Sequence, residues 1–401
     1  MNNGDTKMIP TLLSFASLAS CAAGPLPALQ VHGTDLVTPD GQPILLRGVN
    51  LGGWLVEEIW MTPWQDVPPA RSALPKIEDH VSLWGVVEKR LGQEAMVRVR
   101  EAWRDNWITD SDFARIRADG FNHVRIPFLD TLLAEPGGMA RLHRAVGDAA
   151  KHGLYSILDL HGAPGGQSGE HHTGQANRNR LWFDVGNITK LEELWATLGR
   201  EFGSDSNVAA FDLMNEPMGA PNPAMLAIVY DRVYRAVRKT APKKVLLIED
   251  GYKGFDTTVH PNLAGWTNVA YSLHIYNFDA KTPGDHLSAL KSHDKKDKEL
   301  QEYRQTPLYI GEWNLEPQGT PQAMHDVTLE MESNGWSWAM WTYKTDAKDG
   351  AMGQWGLYRR THKPTAIDPY RDSEALMIAK MRDERTENFE VVPGLVDSIR
   401  R

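Results

Sequence analysis

The sequence predicts a single closed (β/α)8 barrel, and three observations carry that prediction. Short apolar runs rich in β-branched residues recur along the chain with longer amphipathic segments between them, as parallel strands joined by crossover helices require. Eight such runs are present, which suits a ring better than an open doubly wound sheet. Hydrophobic residues form 41% and charged residues 24% of the 401, a globular balance able to fill one large core. No shift in composition marks a second domain.

The chain opens with Lys7 ahead of the small, apolar run Met8 to Ala23, too short to span a bilayer and patterned like an export leader. Residues 1–27 are therefore assigned to targeting and residues 28–401 to the barrel domain. Leu18-Ala19-Ser20-Cys21 resembles the bacterial lipoprotein cleavage box, which would leave a lipid anchor on Cys21; cleavage after Ala23 would leave none. Either way the product is exported, whether periplasmic, secreted or lipoprotein. Cys21 is the only cysteine, so the body is expected to hold together without disulfides. Next, Leu29 to Leu36 and Pro43 to Leu46 flank Asp40-Gly41, a dipeptide suited to a tight hairpin, read as a lid over the barrel's bottom.

The eight strands are predicted at Ile44 to Val49, His123 to Pro127, Tyr155 to Leu160, Ala209 to Met214, Val245 to Glu249, Ala270 to Ile275, Leu308 to Gly311 and Ser337 to Trp341. Helices are predicted at Asp110 to Asp119, Gly138 to His152, Ile188 to Phe202, Pro223 to Thr240, His286 to Arg304, Pro321 to Ser333 and near Ser373 to Arg382. The fifth connection, around Phe255 to Leu263, is weak. Between the first strand and its helix, Thr62 to Trp107 reads as a long loop whose Trp84, Trp103 and Trp107 help wall a ligand site. No later run reaches the ~18 uninterrupted apolar residues of a transmembrane segment.

A net charge of −9 argues against nucleic acid as a partner, because such binding rests on clustered Lys and Arg. Fourteen Trp suit a neutral sugar, since flat rings stack on sugar faces as well as filling cores. No Gly-x-Ser-x-Gly elbow, P-loop or dinucleotide fingerprint is present, so no cofactor is expected. Glu170-His171-His172 with His161 offers zinc-type donors, but adjacent histidines on a loop point apart, and no metal is expected.

In such a barrel the chemistry sits at the C-terminal ends of the strands. Those ends carry Arg125, then Asp159-Leu160-His161, Asn215-Glu216-Pro217, His274-Ile275-Tyr276, Glu312-Trp313-Asn314 and Trp341-Thr342-Tyr343-Lys344. Glycoside hydrolysis needs two carboxyl groups flanking the scissile bond, and Glu216 and Glu312, ending strands four and seven, can face each other across the mouth. A separation of about 5–5.5 Å predicts retention of configuration, and 6.5 Å or more inversion. Arg125 is expected to hold one glutamate ionised while the other stays protonated in a less polar setting.

From Leu29 to Pro369 the chain resembles glycoside hydrolase family five, and within it the exo-1,3-β-glucanases of fungal type and their bacterial relatives. The motifs are Arg47-Gly48-Val49-Asn50-Leu51-Gly52-Gly53-Trp54, Trp107-Ile108-Thr109, Val124-Arg125-Ile126-Pro127, Asp159-Leu160-His161-Gly162-Ala163-Pro164-Gly165, Asn215-Glu216-Pro217, His274 with Tyr276, Gly311-Glu312-Trp313 and Trp341-Thr342-Tyr343-Lys344. The resemblance implies Glu216 as acid/base and Glu312 as nucleophile, with Arg125 and Tyr276 bonded to the nucleophile. It further implies Asn215 at the sugar 2-hydroxyl, His161 and His274 around the first sugar, Trp341 as stacking platform and Glu58 as a grip on terminal glucose. Tyr252 and Phe278 are expected either to stack on the next sugar or to join the core.

One departure concerns the loop after the third strand, where the fungal enzymes supply an aspartate and His171 stands here. Either Glu170 substitutes for it or the pocket differs. The substrate expected is a β-glucan or β-glucoside, most simply β-1,3-linked and cut from its end. The same mechanism on cellulose, mixed-linkage or β-1,6-glucan, mannan or a glucosylated lipid is the alternative. A non-catalytic carbohydrate-binding barrel is disfavoured because both glutamates remain. Oligomeric state is not read from the sequence.

Overall fold

A computed structural model describes residues 24–346, 356–360, 362 and 364–400. The leader expected over residues 1–27, with Cys21, lies mostly outside the described residues. Eight parallel strands close into a barrel: β1 (Arg47–Asn50), β2 (His123–Leu129), β3 (Tyr155–Gly162), β4 (Val208–Asp212), β5 (Val245–Glu249), β6 (Val269–Ile275), β7 (Leu308–Trp313) and β8 (Ser337–Met340). β8 pairs with both β7 and β1, so no barrel edge is left open. The predicted barrel is the observed one, with strand positions shifted by a few residues at most.

Helices cross back between strands where the sequence places starts and stops. Asn222 and Thr320 cap Pro223–Arg238 and Pro321–Ser333, each with proline at the first turn, where its missing N–H costs nothing. The weak fifth connection carries only a 3-10 turn, Phe255–Thr257, and a single helical turn, Pro261–Ala264. The main core lies between barrel and helices, while a second apolar cluster fills the barrel's lower end.

That lower cluster includes Leu29, Leu36 and Leu46, so the N-terminal segment is the expected lid. Its turn differs from the expectation. Gln30–His32 pairs with Asp35–Val37 around Gly33, whose φ of +60° suits glycine, and the Asp40-Gly41 turn then leads back to a bridge between Val37 and Pro43. Two successive turns replace the single hairpin, because the short Gly33-Thr34 link was read as strand interior.

Thr62 to Trp107 is also corrected. It contains two helices, His80–Leu91 and Gln93–Trp107, the first capped by Asp79 Oδ1, which accepts from Ser82 N at 2.7 Å. Trp84, Trp103 and Trp107 are buried away from the pocket, with Trp103 and Trp107 stacked at 4.8 Å. Their indole N–H groups still matter: Trp103 donates to Gly53 O and Trp107 to Gly52 O, bracing the turn that leads to Glu58. The helix fulfils the apolar period of Leu83, Trp84, Val86 and Val87. The prolines preceding it had masked that period.

Candidate active site

A cavity of about 530 Å³ opens at the C-terminal mouth of the barrel. Its wall contains Glu58, His161, Glu170, His171, Asn215, Glu216, Tyr252, Tyr276, Phe278, Glu312 and Trp341 from the predicted set. Arg125 and His274 lie directly beneath, Arg125 fully buried. Register explains the convergence: Asn50 pairs with Arg125, Asp159 with Asp212, and His274 with Glu312, so polar residues meet at one level. The His274 alignment follows a register shift after Leu273, and Gly311 opposite it leaves the room. A Cβ on Gly311 would come within 2.5 Å of Ser272 Oγ and 2.9 Å of His274 Nε2.

Glu216 and Glu312 face each other. An oxygen of each, with a His274 nitrogen, lies within 4.8 Å of the others. Their partners differ. Glu312 accepts from Arg125 Nη1 at 2.8 Å and from the Tyr276 hydroxyl at 2.8 Å. Glu216 Oε1 takes the Tyr252 hydroxyl at 2.8 Å and lies 2.8 Å from His274 Nδ1, while Oε2 is 3.4 Å from His172 Nε2. The Glu312, Glu216 and His274 atoms are thus engaged with one another and with Arg125 and the tyrosines.

The site is electrostatically crowded. Arg125 reaches Asp159, Asp212, Glu249 and Glu312 within 3.2 Å, one guanidinium for four carboxylates. Burial on its own would lower the His274 imidazole, but Glu249, Glu312 and the Glu216 bond outweigh it and hold His274 well above its ordinary range. Burial would likewise raise Glu216; the His274 hydrogen bond, with His172 and Tyr252, prevails and holds that carboxyl well below the ordinary value. The less polar setting expected for one glutamate is therefore not what surrounds Glu216. The His274 and Tyr252 contacts favour its ionised form, with His274 favouring the protonated one.

At one end, His171 Nε2 lies 3.3 Å from Glu58 Oε2, and Trp60 Nε1 donates to the same oxygen at 2.9 Å. The contact joins the loop after β1 to the loop after β3. His171, not Glu170, makes it; Glu170 lines the pocket from an exposed position. Glu170, His171, His172 and His161 do not converge as metal ligands: His171 turns to Glu58, His172 to Glu216, and His161 to Asp159 at 2.7 Å. Trp341 stacks on His161 at 5.4 Å. Tyr252 and Phe278 are 49% and 62% exposed, so neither belongs to the core.

The matching family model, Cellulase (glycosyl hydrolase family 5), covers residues 88–347. The chain belongs to glycosyl hydrolase family 5. A probable glucan 1,3-beta-glucosidase A of Emericella nidulans is 31% identical over 310 residues, 72% of this chain and 70% of that one. A protein named beta-xylosidase from Phanerodontia chrysosporium is 30% identical over 260 residues, 62% of this chain but only 52% of its own length, so the chain spans about half of that relative. Among solved structures, the Aspergillus niger rutinosidase superposes with a TM-score of 0.59 at 18% identity, covering 76% of this chain and 91% of that one. The Thermobifida fusca endoglucanase Cel5A catalytic domain gives 0.53 at 17%, covering 88% and 97%. These two likenesses concern the fold.

Several residues of this family 5 site escaped the sequence reading. Trp60 and Met218 line the cavity, His172 touches Glu216, and Gln167 is fully buried. Gln167 Nε2 donates to the carbonyls of His161 and Asn215, pinning the histidine-bearing loop to the β4 end. Glu249 is the last residue of the fifth predicted strand. The rule that found the others, polar residues at strand ends, applied to it equally.

Proposed function

We propose that the chain is a retaining β-glucosidic hydrolase that removes terminal glucose from β-1,3-glucan, with Glu312 as nucleophile and Glu216 as acid/base. The observation that carries this is the pair itself: oxygens within 4.8 Å, with unequal partners. Oxygens that close are compatible with the ~5–5.5 Å between carboxyl groups of retaining enzymes and favour that class over the 6.5 Å or more of inverting ones. Arg125 and Tyr276 aim the Glu312 carboxylate at the anomeric carbon. Glu216 meets the leaving oxygen, and His274 Nδ1, 2.8 Å away, is the neighbour from which it would take the proton it gives. A sugar that displaces water from the mouth penalises the separated charges and returns that proton to Glu216. Asn215 Oδ1 accepts from Arg125, while its Nδ2 has no hydrogen-bond partner among the described residues, leaving a donor for the sugar 2-hydroxyl.

The Glu58–His171 contact, with Trp60, supports action at a chain end, since it bridges two loops across the cleft. Tyr252 and Phe278, exposed at the mouth, would take the next sugar. We assign residues 1–27 to export and 28–401 to the catalytic domain. Among the described residues no helix is long and apolar enough to cross a membrane. The relative named beta-xylosidase supports a second reading, in which the terminal sugar is a pentose.

Digestion of laminarin, plain and blocked at its nonreducing end, tests the first reading. Glucose as the main product, first released as the β-anomer, with the blocked chain untouched, is the expected result. A ladder of oligosaccharides, or ready cleavage of the blocked chain, overturns exo action. Faster hydrolysis of aryl β-xyloside than of aryl β-glucoside favours the pentose.

A further inference from the structure

Glu249 ends β5, is 3% exposed, and forms no part of the pocket wall, yet it makes three contacts with the groups beneath it. Its Oε2 accepts the backbone N–H of Glu216 at 2.7 Å. Its Oε1 lies 3.3 Å from His274 Nε2 and 3.2 Å from Arg125 Nη2. The other imidazole nitrogen, His274 Nδ1, lies 2.8 Å from Glu216 Oε1. A carboxylate–imidazole–carboxyl chain therefore runs from Glu249 to Glu216. The same carboxylate steadies the Glu216 backbone at a φ of +42°, a left-handed conformation that non-glycine residues rarely hold unaided.

We propose that Glu249 is the positioning residue of the acid/base: it fixes the Glu216 main chain and, through His274, keeps one proton on the Glu249–His274–Glu216 chain beside the glycosidic oxygen. The proposal rests on the reading of Glu216 as acid/base. Around His274, Glu216 and Asp212 come from the β4 end, Glu249 and Asp250 from the β5 end, and Glu312 from β7. Arg125 from β2 is the guanidinium bonded to Glu249 and Glu312, and Tyr252 adds a phenol whose ring centroid lies 6.5 Å from that of His274. Each carboxylate favours a proton on the imidazole, and Glu249 is the one beside Nε2, opposite the nitrogen that faces Glu216.

The protons balance. In glycosylation Glu216 gives its proton to the leaving oxygen as the anomeric C–O bond breaks and a Glu312 oxygen bonds the anomeric carbon. In deglycosylation the attacking water returns a proton to Glu216 as the ester bond breaks. The chain ends with the proton count it began with.

Glu249→Gln in the full chain keeps an acceptor for the Glu216 N–H and removes the charge; Glu249→Asp keeps the charge. With less negative charge the chain loses its proton at lower pH, so the basic limb of kcat/KM in Glu249→Gln should move down by about half a pH unit or more. At neutral pH this variant should lose about tenfold or more on a β-1,3-glucan oligosaccharide, but much less on 2,4-dinitrophenyl β-glucoside, whose leaving group needs little protonation. Glu249→Asp should restore the position of the limb. The limb and the ratio between substrates do not depend on how much protein folds. An unmoved limb with equal losses on both substrates overturns the proposal. If the unmodified protein cleaves neither glucoside, the reading of Glu216 fails instead. Glu249 is then judged by nitrogen NMR: the His274 imidazolium should persist to higher pH than in Glu249→Gln, and identical titrations overturn it.

Discussion

Glu216 and Glu312 are the same residue type, and their neighbours set them apart. Arg125 and Tyr276 address Glu312, whereas His274, Tyr252 and His172 address Glu216. Two predictions follow from that division. Glu312→Ala should abolish turnover on every glycoside, while Glu216→Ala should lose about 10²–10⁴-fold on oligosaccharides and keep most of its rate on dinitrophenyl glycosides; steady-state kinetics on both substrates checks this. Tyr252→Phe keeps the ring and removes a hydrogen bond donated to ionised Glu216. Loss of that donor favours the protonated acid, so the basic limb of kcat/KM should move to higher pH, opposite to Glu249→Gln. An unchanged pH profile with a raised KM would instead mark Tyr252 as a pure stacking group.

At the level of elements, the strands were legible because they are short, largely apolar runs separated by longer amphipathic segments. Most of the rim was legible from the strand ends: His161, Asn215, Glu216, His274, Tyr276, Glu312 and Trp341 lie at or just beyond them, whereas Arg125 is the third of the seven residues of β2. Less visible were contacts made by loops across sequence distance. Nothing in Glu170-His171-His172 says that His171 faces Glu58 and His172 faces Glu216, because a loop's direction is set by distant anchors such as Gln167. Nor does the sequence state the charge balance that keeps Glu216 ionised, which depends on three elements meeting. Gly311 illustrates how tightly those elements fit. Gly311→Ala should destabilise by about 1–3 kcal/mol through overpacking against Ser272 and displace His274, so activity should fall further than Tm suggests. Wild-type Tm and kcat in that variant would show that β6 and β7 have slack there.

For the whole molecule, His123 links the barrel interior to acid stability. It is fully buried, its Nε2 3.0 Å from the Tyr309 hydroxyl, and burial with Arg125 nearby pushes its imidazole down to about 3. Below its ordinary value of 6.5 the unfolded chain takes up a proton that the folded chain refuses. Stability from His123 is therefore complete above 6.5 and is lost toward 3, at up to about 1.4 kcal/mol per pH unit. His161 and His274, raised in the folded state, act in the opposite sense, favouring the fold at low pH and losing that contribution as pH rises. The stability gap between wild type and His123→Asn should accordingly narrow from pH 7 to pH 4.5 in urea titrations, and a constant gap would contradict it. The central claim concerns covalent catalysis at the barrel mouth, and trapping tests it most directly. Incubation with 2,4-dinitrophenyl 2-deoxy-2-fluoro-β-glucoside, followed by peptide mass mapping, should place one fluoroglucosyl group on Glu312. Hydrolysis that proceeds without any adduct, or an adduct on Glu216, would contradict the assignment.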